Sequence, residues 1–261
     1  MVEIKKLVRQ EFEIIAGDHK FQQKLLAKDY YITILLYLLK DIKGIYFKGG
    51  TALNKTILKH SRISEDIDFT LNSPLPAIRK EITNAINSSG MFGKITQDKD
   101  VDKFVRIIVP YNTEIGKGEI FIDLNERGKL LTKPQKIEIK HFYPNIQKFS
   151  MPCLSQDEMV AEKMAATIGR NKPRDHYDLY QIIKREIPID LKLVEQKCIQ
   201  SGDEFNIIKM FNQGQKLHKR WKDDLEPLLA DEVTFKEIMT TLAIHFNFKL
   251  EKDKYKKTQT I

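Results

Sequence analysis

Apolar positions first recur at helical spacing: Ile4, Leu7, Val8, Phe12 and Ile15 predict a helix over 3–16, with Gly17 as its stop. Between 21 and 42, Leu25, Leu26, Tyr30, Ile32, Leu35, Leu36 and Leu39 are dense enough for burial on more than one side, and Gly44 closes that helix. The pattern then shortens. Residues 45–48 predict a strand running into Gly49–Gly50, Thr51 opens a helix with Ala52, Leu53, Ile57 and Leu58, and 66–71 predict a second strand. Pro74 and Pro76 begin a helix whose Ile78, Ile82, Ala85 and Ile86 repeat at three and four, ending at Gly90. Further strands are expected at 104–109, 119–124 and 136–142, separated by the turn-rich pieces PYNTEIGKG and NERGKLLTKP.

After Pro152 no strong strand pattern returns. Helices are predicted at 155–170, 176–185, 190–200, 203–221 and 232–247, and LEKDKYKKTQTI reads as a solvated basic tail. Ser155 with Glu158 makes a capping box at the first of these. The fold class expected is therefore α+β: a mixed sheet flanked by helices, then a helical C-terminal domain, with the boundary between Pro144 and Pro152.

Composition narrows the class. The 261 residues are 41% hydrophobic and 31% charged, which is the balance of a globular chain and not of a disordered one. A net charge of +8 favours a polyanionic partner. Cys153 and Cys198 stand far apart in no metal spacing and are expected as reduced, buried thiols, which fits a cytoplasmic setting. The N-terminus lacks a signal-peptide pattern, and the apolar run from Tyr30 to Leu39 is too short to span a membrane. The histidines have no zinc spacing, and neither a GxSxG elbow nor a P-loop occurs. Trp221 is expected in the helical core.

Two clusters carry candidate chemistry. In KGGTALNKTILKHSRISEDIDF, residues 48–69, the Gly49–Gly50–Thr51 turn offers main-chain N–H groups at a helix start, which suits a phosphate but equally serves junction geometry. Asp66 and Asp68 alternate along a strand and so share a face; they suit a divalent cation, or else cap a turn and face water. Asp123, the single acid in the apolar strand IFIDLN, is a candidate neighbour for Asp68. The second cluster, AEKMAATIGRNKPRDHYDLYQI, puts Lys163 and Arg170 two turns apart, about 10.5 Å, on one helix face. Arg170, Lys172 and Arg174 then surround a turn, and Asp175 and Asp178 share a face of the next helix. The cluster reads either as a ligand site or as a salt-bridge network with Arg174 on Asp178.

KGGTAL followed by RISEDIDFTL resembles the AbiEii-type nucleotidyltransferases of the polymerase-beta superfamily, toxins of type IV toxin–antitoxin systems related to the MenT-type toxins. AEKMAATIGRNKPRDHYDLY is similar to that family's distal signature, and AKDYYITILLYLL to the segment ahead of its sheet. The interval from Gly50 to Asp66 is longer than in the wider superfamily, and Gly–Thr stands where Gly–Ser is usual; both features fit the toxin branch. The resemblance implies a polymerase-beta-like nucleotidyltransferase core within 1–148 and a helical domain, 149–261, that completes the active-site cleft. It implies that Lys48, Gly49, Gly50 and Thr51 hold a nucleoside triphosphate, and that Asp66 and Asp68, with Asp123 as third ligand, bind Mg2+. Lys163 and Asp175 match its distal catalytic positions, with Arg170, Lys172 and Arg174 as phosphate or nucleic-acid contacts. The activity implied is magnesium-dependent transfer of a nucleotide from an NTP to an acceptor, foremost the tRNA 3′ end, by a cytoplasmic toxin whose antitoxin is encoded nearby and which has no membrane partner. Transfer to a small molecule or a protein hydroxyl, and a non-catalytic nucleotide- or RNA-binding module, are the alternatives.

Overall fold

The computed structural model describes residues 4–258, and the chain divides into two units, Met1–Ser155 and Gln156–Ile261. In the first, α1 (Arg9–Asp18), α2 (Gln23–Leu39), β1 (Ile45–Lys48), α3 (Gly49–Thr56), β2 (Asp66–Leu71) and α4 (Leu75–Ser88) precede β3 (Thr96–Val101), β4 (Phe104–Thr113), β5 (Gly116–Asn125), β6 (Gln135–Glu138) and β7 (Ser150–Cys153). The strands form one mixed seven-stranded sheet in the order β3-β4-β5-β2-β1-β7-β6. β2 is antiparallel to β1 and parallel to β5, β4 and β5 form a hairpin, and β7 lies parallel to β1.

Alternation sorts the two faces of this sheet. Ile67 and Phe69, Val105 and Val109, and Ile120, Ile122 and Leu124 are buried, and α2 and α4 both pack on β5. Asp66, Asp68, Arg106, Phe121 and Asp123 project from the opposite face and are half-exposed. The apolar density of α2 has the expected result, since Leu26, Ile32, Ile34, Leu35, Leu36 and Leu39 are all fully buried.

The second unit contains α5 (Gln156–Gly169), α6 (Pro173–Lys184), α7 (Leu191–Gln200), α8 (Gly214–Asp224), α9 (Phe235–His245) and α10 (Phe248–Thr258). α5 packs on α6 and α7, while α6 also meets α8 and α9. Trp221 is buried edge-on against Phe235, their ring centroids 5.2 Å apart, as expected of a core residue. Cys153 and Cys198 are free and fully buried, and burial pushes their thiols up to about 12 and about 11.

Several elements depart from the sequence expectation. The first helix starts at Arg9 because Leu7 enters the core as extended chain, its N–H donating to the Tyr30 hydroxyl at 3.1 Å; Glu3, at the head of the expected helix, lies outside the described residues. PYNTEIGKG is mostly strand, with the hairpin turning between the paired Thr113 and Gly116. β3 and β7 carry no clear pattern: every residue of β3 is exposed, and β7 is a short strand containing Pro152. The expected helix over 203–221 is a single 3-10 turn, Ile207–Phe211, followed by α8. The tail is helical as α10 up to Thr258. The Glu158 carboxylate is 2.6 Å from buried Lys197, which sequence spacing does not report.

Candidate active site

The first unit builds its site where β1 turns into α3. Gly49 takes a left-handed φ of +77°, which disfavours any residue with a Cβ, and a Cβ there would collide with the Asp68 carboxylate. At Gly50 a Cβ would lie 2.9 Å from Nη2 of the buried Arg62 and 3.3 Å from Ser64 Oγ. Both glycines therefore allow charged side chains to approach the start of α3. Asn54 fixes the return: its Nδ2 donates to the Gly50 carbonyl at 3.0 Å, and its Oδ1 accepts from Ser61 Oγ at 3.0 Å and the Arg62 N–H at 3.3 Å.

Thr51 is buried, with its hydroxyl on the Asp66 carbonyl and 2.9 Å from Ser64 Oγ. The sequence offers this hydroxyl to a phosphate; in the structure it ties the helix start to the strand bearing the acids. Lys55 is likewise turned inward. Its ammonium lies 2.7 Å from Asp29 and 3.0 Å from Thr33 Oγ1, and the Tyr143 hydroxyl donates to Asp29 at 3.0 Å. Burial pushes the Asp29 carboxyl up, but Lys55 overrides it and leaves the group below the ordinary carboxylate range. The segment ahead of the sheet thus anchors the glycine-led helix from below. His60 sits beside this pair, and burial, then Lys55, pulls its imidazole down to about 3.

Strand register gathers the candidate groups. Lys48 pairs with Asp68, Asp68 with Asp123, and Asp123 with Arg106, so cation, acid, acid and cation form one transverse row across β1, β2, β5 and β4. Asp123 does lie beside Asp68, as its place in IFIDLN suggests. Both its oxygens, however, are held by Arg106, at 2.7 Å from Nε and 2.7 Å from Nη2. The carboxylate expected as third metal ligand is engaged by a guanidinium. Among the described residues no group of three His, Cys, Asp or Glu side chains is placed to hold a metal ion. The donor set that fits a divalent cation is the pair Asp66 and Asp68, hard oxygens alternating on one face of one strand.

The second unit assembles the distal cluster. Lys163, buried on α5, sits 2.9 Å from Asp175 and 2.9 Å from Asp178, both on α6 and both buried. Exposed Arg170 closes over Asp175 with two hydrogen bonds, Nε to Oδ2 at 2.8 Å and Nη2 to Oδ1 at 3.0 Å. Burial opposes the Asp175 charge, yet Lys163 and Arg170 hold its carboxyl well below the usual range. Lys172 stands at the start of α6, its ammonium disfavoured by burial and by Arg170 and Arg174. Asn171, at φ +53°, is tied through Nδ2 to the Lys209 carbonyl at 3.0 Å. His176 is fully buried, with its ring nitrogens 3.1 Å from the Lys172 carbonyl and 2.8 Å from that of Met210.

Arg62, Lys55, Asp29 and Arg106 are the residues that sequence reasoning misses. A basic residue inside RISED, or in an alternating strand, looks the same whether it meets water or a carboxylate.

The sheet, with its glycine turn and acid pair, defines a nucleotidyltransferase-type fold. JHP933 from Helicobacter pylori is similar at 19% identity and a TM-score of 0.64, over 92% of this chain and 99% of that one. A second structure, described as "putative nucleotidyltransferase from H. pylori", gives 19% and 0.63 over 91% and 99%. MenT4, a nucleotidyltransferase toxin from Mycobacterium tuberculosis H37Rv, gives 20% and 0.61 over 92% and 99%. No curated protein sequence matches the chain. Residues 36–242 match the family described as "Nucleotidyl transferase AbiEii toxin, Type IV TA system". The chain belongs to this family and is a nucleotidyltransferase toxin of the type IV toxin–antitoxin class, which implies a nucleotide substrate and an antitoxin partner. No described helix is long and apolar enough to cross a membrane.

Proposed function

We propose that the chain transfers a nucleotide from an NTP to the 3′-terminal hydroxyl of an RNA, with tRNA as the leading acceptor, in the presence of Mg2+. The observation that carries this reading is the contact between Gly49 and Asp68, which brings the glycine turn and the acid pair into one site. Triphosphate oxygens meet the N–H groups at the start of α3, where the helix dipole and the neighbouring Arg62 and Lys48 favour negative charge. Asp66 and Asp68 hold the divalent cation, which supplies charge neutralisation and a lowered pKa for the attacking hydroxyl. The acceptor oxygen bonds to the α-phosphorus, its proton passes to solvent water, and the bond to pyrophosphate breaks with the electron pair leaving on pyrophosphate. No protein nucleophile is required.

In the second unit, Lys163 and Asp175 are the positions that match the family's distal catalytic pair, and Arg170, Lys172 and Arg174 are contacts for nucleotide or RNA phosphates. The net charge of +8 supports a polyanionic acceptor over a cationic small molecule. The setting is the cytoplasm, with an antitoxin encoded nearby. Purified protein is incubated with each labelled NTP, Mg2+ and total RNA. Label is expected on tRNA for at least one nucleotide and is lost in Asp66→Asn and Asp68→Asn variants that keep the wild-type melting temperature. Label on a protein or small molecule and none on RNA would overturn the acceptor, and undiminished transfer by the double variant would overturn the metal pair.

A further inference from the structure

Arg106 holds the β4 place in the transverse row, with Lys99 of β3 paired beyond it, and the reaction as written leaves it without a task. We infer that Arg106 grips a phosphate of the acceptor strand, and that Asp123 is the positioning residue that aims it. This rests on the nucleotidyl-transfer reading above and adds a residue that discriminates between acceptors.

The guanidinium is held on two sides. Nε and Nη2 are fixed by the Asp123 oxygens, and its carbon lies 5.3 Å from the centroid of the Phe121 ring, within cation–π range. Two of its five N–H donors meet Asp123, and the others have no partner among the described residues. A planar fork held in this way matches phosphate oxygens with little loss of side-chain freedom.

The strand order decides which phosphate. The glycine turn lies at the β1 side of the acids, whereas Arg106 lies on β4, two strands to the other side of Asp68. That separation is about 10 Å between main chains at ordinary strand spacing, and the guanidinium reaches back over β5 to the Asp123 carboxylate. In-line transfer places the attacking hydroxyl and the departing pyrophosphate on opposite sides of the α-phosphorus. With the triphosphate over the glycine turn, the Arg106 side receives the acceptor, and the negative group that an RNA 3′ end brings there is its last phosphodiester. Lys28, 5.9 Å from the centroid of the same ring, is paired with Glu65 at 3.5 Å, so Arg106 is the cation that carries this approach.

The test measures transfer of labelled nucleotide to deacylated tRNA and to a short single-stranded RNA by wild type, Arg106→Gln, Arg106→Lys and Asp123→Asn, with each melting curve recorded. Arg106→Gln is expected to raise the acceptor KM about ten-fold or more, with the NTP KM held. Arg106→Lys recovers part of the loss, and Asp123→Asn moves the same constant. The slope of log affinity for single-stranded RNA against log salt falls by about 0.7 in Arg106→Gln. A methylphosphonate at the 3′-most linkages weakens binding by wild type and leaves Arg106→Gln unaffected. An unchanged acceptor KM in Arg106→Gln, with wild type active on RNA, refutes the inference and spares the transfer reading. A loss in Asp123→Asn confined to kcat and restored by changing the divalent metal makes Asp123 a metal ligand and also refutes it. Wild-type transfer only to a non-nucleic acceptor removes both.

Discussion

Gly49→Ala separates the two demands made on the glycine turn. The substitution puts a Cβ at φ +77° and against the Asp68 carboxylate. A left-handed conformation costs an L-residue about 1–2 kcal/mol, and the lost flexibility of the unfolded chain returns about 0.4–1 kcal/mol. The net destabilisation is therefore about 1 kcal/mol, or a drop of roughly 2–4 °C in melting temperature for a chain of this size. The steric part is relieved by rotating Asp68, because a carboxylate at the end of a short side chain yields more readily than the main chain of β1. A displacement near 1 Å in a reacting constellation costs about 100-fold in rate. The expected signature is thus a nearly normal melting curve with label transfer reduced about 100-fold. Combining it with Asp68→Ala should add little to the loss of Asp68→Ala alone, since both act on one carboxylate. Gly49→Ala transferring label within about three-fold of wild type would refute the argument that this glycine exists to admit Asp68.

Other perturbations test the buried charge of each unit. Lys55→Met leaves Asp29 buried without its ammonium and is expected to destabilise the first unit by about 3–5 kcal/mol, read from urea unfolding; Asp29→Asn added to it should restore a large part. His60 has a folded-state pKa of about 3 against an ordinary 6.5, so between those values the unfolded chain binds the extra proton. Stability should fall by about 1.4 kcal/mol for each pH unit lowered through that window, and His60→Gln should flatten the slope by that amount. In the second unit, Lys163→Met strips the ammonium from buried Asp175 and Asp178 and should cost about 3–5 kcal/mol, visible as a lower urea midpoint. A Lys163→Met protein as stable as wild type would show that the two carboxylates do not depend on it.

The strands that carry the acids were legible because period-two alternation is a local signal. Ile67 and Phe69 mark one face of β2 and thereby assign Asp66 and Asp68 to the other. β3 has no buried face and so left no pattern, since its pairing is visible only through main-chain hydrogen bonds to β4. Cationic residues hide for a related reason. Arg106 and Asp123 are 17 positions apart, and Lys55 reaches Thr33 across 22, so nothing adjacent in the chain reports either partnership. Alternation could suggest that Asp123 shares a face with Asp68; it could not show that a guanidinium on β4 holds both oxygens.

The glycine pair gives the sharpest case. Read as a string, Gly49–Gly50 was equally a phosphate cradle and a matter of junction geometry, and those were competing explanations. In the folded chain Gly49 meets two demands, its left-handed φ of +77° and the approach of the Asp68 carboxylate, while Gly50 meets that of the Arg62 guanidinium and Ser64. The steric requirement is imposed by the charged groups of the site itself. A turn needed only to reverse the chain would have no reason to press against a half-exposed acid and a buried cation, so the geometric explanation supports the chemical one.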